Sequence, residues 1–151
     1  MQTLSILVSV SNQTLTARGP VIGERVYRIS TSRFGIGTEP GSFKTPLGRF
    51  EVAKKIGGGA PLGAVFKSRV PTGETGDPSN PDNLVQTRIL WLQGLDPENK
   101  NTFERYIYIH GTNHEDKLGS PDSHGCVCMG NADVAELYDF VAEGTLVQIQ
   151  P

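Results

Sequence analysis

The chain is 151 residues long, 36% hydrophobic and formally −2 at pH 7, a size that fits one domain spanning residues 1–151 around a single core. Its slight acidity excludes nucleic acid or an anionic membrane as the main partner, because binding phosphates needs a basic surface. No stretch comes near the roughly 20 apolar residues of a membrane span.

Eighteen glycines and ten prolines separate many short apolar runs. That pattern predicts a mainly β fold, a curved or sandwich-like mixed sheet. Residues 3–10 alternate enough for a strand, and Ser11-Asn12 followed by 13–17 predicts an opening hairpin. Further strands are expected at 25–30, 49–54, 64–68, 87–92, 106–110 and 146–150. Between Val70 and Val85 the sequence PTGETGDPSNPDNL is rich in Pro, Gly, Asp and Asn. It reads as one long loop, either a rim to a binding site or a plain solvated insertion. One helix is expected over 131–143, packed on the sheet. Asn131 can cap it, Val134, Leu137, Tyr138 and Val141 follow the i, i+3, i+4, i+7 stripe, and Gly144 can end it.

The chemistry concentrates in two blocks, HGT at 110–112 and SHGCVCM at 123–129. A thiol nucleophile needs a base to take its proton, and Cys126 has His110 as its candidate partner, with Gly111, Thr112, Ser123 and Gly125 around them. The apolar run RYIYI would end at His110, and the Gly-Cys pair lies shortly before the helix. A glycine beside the nucleophile lets the backbone turn sharply and aim N–H groups at a developing oxyanion. These residues make a plausible acyl-transfer site. His114 sits in the charged stretch NHEDK and is expected to be an exposed loop residue.

HGT, a loop, then SHGC and a hydrophobic residue resemble the signature of the L,D-transpeptidase (YkuD-like) family of peptidoglycan enzymes. The likeness extends to YRISTSRFGIGTEPGSFKTPLGRFEVAKK, with Thr45, Pro46, Gly48 and Phe50, and to NADVAELYDFVAEGTLVQIQP near the end. The resemblance implies that family's mixed β-sheet or sandwich fold and a reaction without cofactor or metal. The cysteine attacks the carbonyl of meso-diaminopimelate in a peptidoglycan stem tetrapeptide, expels D-alanine and forms an acyl-enzyme. By position Cys126 is the nucleophile and His110 the base, with the Gly111 carbonyl holding the imidazole. Gly125 and Cys126 N–H groups would face the oxyanion, while His124 and Ser123 would shape the site.

Cys128 stands where many members of the family carry arginine. A thiol cannot replace a five-donor guanidinium that suits a carboxylate, so substrate holding is expected to differ. Lys44, Lys67, Arg69 and Arg105 lie in or beside the matching segments and are candidate substrate-binding residues, together with Thr112 and Cys128. The N-terminal stretch MQTLSILVSVSNQTL shows no basic leader or small-residue cleavage site. On this pattern the expected location is cytoplasmic, or periplasmic if the chain is an excised mature domain. A cytoplasmic enzyme would meet soluble muropeptides and not polymeric wall, which favours an L,D-carboxypeptidase in muropeptide recycling over a crosslinking transpeptidase. Two other readings compete. Zinc could be held by His110, His114, His124, Cys126 and Cys128, but the C-x-C spacing makes an awkward chelate. A non-catalytic wall-binding module would not need nucleophile, base and glycines intact.

Overall fold

The computed structural model describes residues 4–151. Ten strands form one mixed sheet: β1 (Ser5–Ser9), β2 (Thr14–Gly19), β3 (Gly23–Ser30), β4 (Gly48–Ile56), β5 (Ala64–Lys67), β6 (Val70–Thr75), β7 (Val85–Gly94), β8 (Tyr108–Gly111), β9 (Val127–Met129) and β10 (Leu146–Gln150). The spatial order is β4-β10-β1-β2-β3-β9-β8-β7-β5-β6, and a further pairing of β4 with β7 closes the ladder on itself. Two neighbouring pairs, β1 with β10 and β8 with β9, run parallel. The first predicted strand matches β1 over its described part; Thr3 lies outside the described residues.

Strand β7 is buried on both faces, and this organises the interior. Leu90 and Leu92 point into a large core with Phe50, Ile109, Val127 and Met129. Ile89 and Trp91 point the other way, into a smaller cluster with Phe66 and Tyr108, against which Cys126 packs. Period-2 alternation of the strand produces both sets. The helix α1 (Asn131–Phe140) covers the large core with Val134 and Leu137, each burial worth about 1.5–3 kcal/mol.

Three expectations need correction. The helix is shorter than 131–143. Val141 is extended at ψ 135° and buried in the core, so the chain leaves helical geometry there to bury an apolar side chain. Gly144 serves the following turn, donating its N–H to the Val52 carbonyl. Asn131 is the first helical residue and not the cap. Its N–H is satisfied from outside by the Glu115 carboxylate at 2.8 Å, which suits an anion at the positive helix end. The segment 70–85 is also not one loop, since β6 pairs with β5 in a hairpin. Every residue of β6 is exposed, so no apolar alternation marked it, and its two-residue turn, Ser68 and Arg69 at φ 50° and 66°, lacks the usual Asn-Gly signal.

The remaining loop, 76–84, is stitched down by polar side chains from the segment after β8. Asn113 Nδ2 donates to the carbonyls of Asp77, Asn80 and Asp82 at 3.0–3.3 Å, and its Oδ1 accepts from Leu84 N–H. His114, expected to be exposed, is buried beneath this loop. Its Nδ1 meets Asp122 Oδ2 at 2.8 Å and its Nε2 meets the Asn80 carbonyl at 2.7 Å. Both partners are acceptors, so both ring nitrogens must carry protons. Burial pulls the His114 pKa down, but the Asn80 carbonyl, the Asp122 hydrogen bond and the charges of Asp122 and Asp116 outweigh it and raise the value.

A group with a raised folded pKa stabilises most below its unfolded value, near 6.5, and loses that contribution as pH rises through the folded value. Urea unfolding of the wild type against His114→Gln from pH 5.5 to 9 is therefore expected to show a stability difference that shrinks with rising pH, of order 1 kcal/mol at the acidic end. The comparison with the variant matters because His110, buried and neutral, acts in the opposite sense in acid. A difference independent of pH would show that His114 is not charged in the fold.

Candidate active site

The parallel pairing of β8 with β9 sets Ile109 opposite Val127, His110 opposite Cys128 and Gly111 opposite Met129. Ile107, Ile109, Val127 and Met129 face the large core. Tyr108, His110, Cys126 and Cys128 then share the other face by alternation. The two sequence blocks therefore meet on neighbouring strands, as expected, but the register puts Cys128 directly across from His110. Cys126 is the diagonal neighbour, roughly 8 Å away between Cα atoms on ordinary strand spacings.

The sulfur contacts follow that register. His110 Nε2 lies 3.8 Å from Cys128 Sγ. Cys126 Sγ accepts from Tyr108 N–H at 3.3 Å and sits 3.4 Å from the Tyr106 carbonyl, to which it can donate. Among the described residues no hydrogen bond joins Cys126 to His110. His110 Nδ1 is 2.6 Å from the Gly111 carbonyl, an acceptor, so Nδ1 carries the proton and Nε2 presents its lone pair to the site. This is the imidazole restraint expected of Gly111. A side chain at Gly111 would strike Asn131 Oδ1 and the Gln86 carbonyl. Asn131 fills that space, bonding Thr87 Oγ1, Gln86 Nε2 and the Thr112 carbonyl.

Both reactive groups rest neutral. Burial pushes the Cys126 thiol up to about 11, against the smaller pulls of the Tyr108 N–H and the Arg105 charge. Burial drives the His110 imidazole down to about 4, opposed by its bond to Gly111. Burial also raises the Cys128 thiol well above its ordinary value. A neutral thiol beside a neutral imidazole calls for deprotonation during attack and not for a standing thiolate–imidazolium pair.

Gly125 adopts φ 124°, and a Cβ there would crowd Ile107 and the Lys44 carbonyl, so the turn into Cys126 favours glycine. Its N–H is taken by Ser123 Oγ at 3.2 Å, and that hydroxyl donates to the Cys126 carbonyl at 2.6 Å. Of the two expected oxyanion donors, only the Cys126 N–H lacks a partner among the described residues. Thr45 braces the same turn by donating to the Gly125 carbonyl. His124 is exposed, between the rings of Phe34 and Phe43 at 5.3 Å from each, with Arg33 at 3.4 Å. It shapes the surface flank and does not touch Cys126.

The candidate substrate-binding residues separate into distinct groups. Arg105 is a strap: it donates to the carbonyls of Gly37 and Lys44 and to Ser42 Oγ. Thr112 is buried and holds Asn83 and His114 N–H. Cys128 is buried under Asn83. Lys67 is exposed on β5 and outside the cavity lining. Arg69 lines a cavity of about 330 Å³ with Phe66, Val85, Tyr106 and Tyr108. A cleft of about 350 Å³ elsewhere, over Ile6, Phe50 and Leu146, holds no cysteine or histidine. Sequence reasoning missed Tyr106, Tyr108 and Asn83. Tyr108 was legible, since RYIYIH places 108 and 110 on one face of a strand; Tyr106, expected to open that strand, lies in the turn before β8 at φ 58°, and Asn83 carried no local signal. Among the described residues no three His, Cys, Asp or Glu side chains are grouped to hold a metal, and no helix is long and apolar enough to cross a membrane.

Residues 4–149 match the YkuD family model, described as the L,D-transpeptidase catalytic domain. The chain is 40% identical over 70 residues to "Putative L,D-transpeptidase YqjB" of Bacillus subtilis (strain 168), covering 46% of this chain and 37% of that one. It is 49% identical over 48 residues to "Putative L,D-transpeptidase YkuD" of Bacillus licheniformis, covering 32% of this chain and 29% of that one. The fold superposes on an L,D-transpeptidase from Mycobacterium tuberculosis H37Rv with TM-score 0.65 at 19% identity, covering 99% of this chain and 58% of that one. It also superposes on L,D-transpeptidase 3 of Mycobacterium tuberculosis, solved with a faropenem-derived adduct, with TM-score 0.63 at 19% identity, covering 99% and 61%. At such identities the structural likeness shows the fold, and the matched part is less than two thirds of each relative. The family model, spanning the β8–β9 site and nearly all the sequence, decides the matter: this chain belongs to the YkuD L,D-transpeptidase catalytic-domain family.

Proposed function

We propose that the chain is a cysteine-dependent L,D-carboxypeptidase acting on peptidoglycan stem tetrapeptides or soluble muropeptides. Cys126 Sγ attacks the carbonyl carbon of meso-diaminopimelate, its proton passes to His110 Nε2 and on to the departing amine, and D-alanine leaves. Water then adds to the thioester and regenerates the thiol. The observation that carries this reading is one sheet face bearing both sulfur and imidazole, with His110 Nδ1 fixed on Gly111 so that Nε2 is free to act as base. For the proton to pass, the Cys126 side chain must rotate from the Tyr106 carbonyl toward His110. The developing oxyanion has the unengaged Cys126 N–H to accept from.

Water as the acceptor is supported by Cys128. Where related sequences carry arginine, this chain has a fully buried thiol held between Asn83 and His110, which offers an incoming carboxylate no cation. The second reading, transfer to an amine, draws on the names of the Bacillus relatives given above.

Two measurements test the proposal. Alkylation of Cys126 by iodoacetamide is expected to be slow at pH 7 and to climb toward the thiol value near 11, whereas a reactive plateau below pH 7 would reveal a standing thiolate. Cys126→Ala should abolish D-alanine release by orders of magnitude, as loss of a nucleophile does elsewhere, while Cys128→Ala retains it; the reverse pattern would transfer the assignment to Cys128.

Product analysis separates the two acceptors. A disaccharide tetrapeptide should give tripeptide and free D-alanine, with little exchanged or crosslinked product when a D-amino acid or a second stem is added. A bound amine enjoys an effective molarity far above that of water, so a competent acceptor site would dominate the mass spectrum. Abundant crosslinked dimer would replace the carboxypeptidase reading by the transpeptidase one.

A further inference from the structure

The cavity lined by Tyr106 and Tyr108 contains a cation with an unusual setting. Arg69 stands at the tip of the β5–β6 hairpin with its guanidinium 4.9 Å from the Trp91 ring centre and 5.0 Å from that of Tyr106. Nη1 donates to the Tyr108 hydroxyl at 3.1 Å. Among the described residues it forms no ion pair; the salt bridges there are Arg18–Glu24, Arg25–Glu136, Arg49–Asp96 and His114–Asp122. A guanidinium has five N–H donors in a planar fork, so most of this fork remains available.

The same two tyrosines hold the nucleophile. Tyr108 gives its N–H to Cys126 Sγ and its hydroxyl to Arg69; Tyr106 gives its carbonyl to Cys126 and its ring to Arg69. The cation and the sulfur are thus linked through the same two tyrosines, both of which line the cavity of about 330 Å³ that Arg69 also lines. Three non-glycine residues at this cavity occupy the left-handed region, Ser68 at φ 50°, Arg69 at 66° and Tyr106 at 58°. At Ser68 and Arg69 this is the geometry of the two-residue hairpin turn, while at Tyr106 such an outlier persists because the surroundings enforce it, as is common at ligand sites.

We propose that Arg69 is a specificity-determining residue that grips a carboxylate of the acyl-donor peptide while Cys126 attacks. The inference rests on the acyl-donor reading above and deepens it. Stacking on Trp91 and Tyr106 fixes the plane of the fork, and a planar two-oxygen anion then docks edge-on with two parallel hydrogen bonds. Of the peptide's carboxylates, the two on the residues flanking the scissile bond could fill this role, the one on the terminal D-alanine and the one on the side chain of diaminopimelate. They share the chemistry and are separable by amidation.

The test compares kcat/KM for the stem tetrapeptide and its two singly amidated forms, in the wild type, Arg69→Gln and Arg69→Lys. In the wild type, amidating the gripped carboxylate should cost about 10- to 100-fold, the range of a charge-assisted pair. Arg69→Gln should lose that much on the acid peptide, run like the wild type on the form amidated at the gripped position, and so erase the discrimination. Arg69→Lys should recover part of it, since a point charge lacks the fork. Equal slowing of all three peptides by Arg69→Gln, or a wild type indifferent to both amidations, would overturn the assignment of Arg69 and leave the catalytic reading standing. Failure of the wild type to bind, acylate with or cleave any of the three would overturn the catalytic reading, and the role of Arg69 with it.

Discussion

The site depends on one constraint, the parallel register of β8 against β9. Because side chains alternate along a strand, this register sends Ile109, Val127 and Met129 into the large core and leaves Tyr108, His110, Cys126 and Cys128 on the opposite face. A one-residue slip of β9 would drive both sulfurs into the apolar interior and expose Val127 and Met129, and a slip of β8 would do the same to His110 and Ile109. The core therefore enforces the geometry of the chemistry. Ile109, Val127 and Met129 are each fully buried, and their removal from water contributes several kcal/mol toward this register.

Burial also sets the electrostatic state of the site. His110 is fixed through Nδ1 and desolvated, which keeps Nε2 unprotonated across the neutral range. Cys126 receives one backbone N–H and the field of Arg105, too little to offset its own desolvation. Such a pair does not store charge at rest. In the reaction we propose, the cost of making a thiolate is met during attack, when the same low dielectric strengthens the hydrogen bond to the forming oxyanion. Arg105 influences the thiol only from a distance because its donors are spent on Gly37, Ser42 and Lys44. The strap holds Lys44, whose carbonyl lies 3.3 Å from where a Gly125 Cβ would sit, tighter than side chains ordinarily pack.

Much of this was legible in the sequence because it is local. The alternation of RYIYIH and the stripe of Val134 and Leu137 announced strand and helix, and the paired HGT and SHGC blocks named the residues that the fold gathers into the candidate site. What was hidden depends on partners distant in the chain. The cap of the helix comes from Glu115, sixteen residues away. The burial of His114 depends on Asn80 and Asp122, and a charged stretch such as NHEDK gives no warning of it. Strand β6 is exposed throughout and turns on Ser68 and Arg69, so neither hydrophobicity nor turn chemistry marked it. The engagement of the Gly125 N–H by Ser123 is a matter of ångströms that residue types alone do not resolve.

The thiol at position 128 and the polar loop 76–84 explain one another. Asn83 Oδ1 accepts from Thr112 Oγ1 at 3.1 Å and lies 3.6 Å from Cys128 Sγ, while its Nδ2 donates to Asp122. The volume above Cys128 is thus occupied by an asparagine that the Asn113 and His114 network holds in place. A long cationic side chain growing from β9 at this point would have to displace Asn83 and lift the loop, breaking several buried hydrogen bonds at about 1 kcal/mol or more apiece. A small, weakly polar residue is what the closed loop tolerates, and Cys128 satisfies that while leaving His110 Nε2 an unprotonated acceptor. The departure at 128 is therefore coupled to closure of the loop over the β8 end of the site. The cation we propose for the substrate's carboxylate stands instead on the β5–β6 hairpin, where Arg69 is stacked on Trp91 and Tyr106.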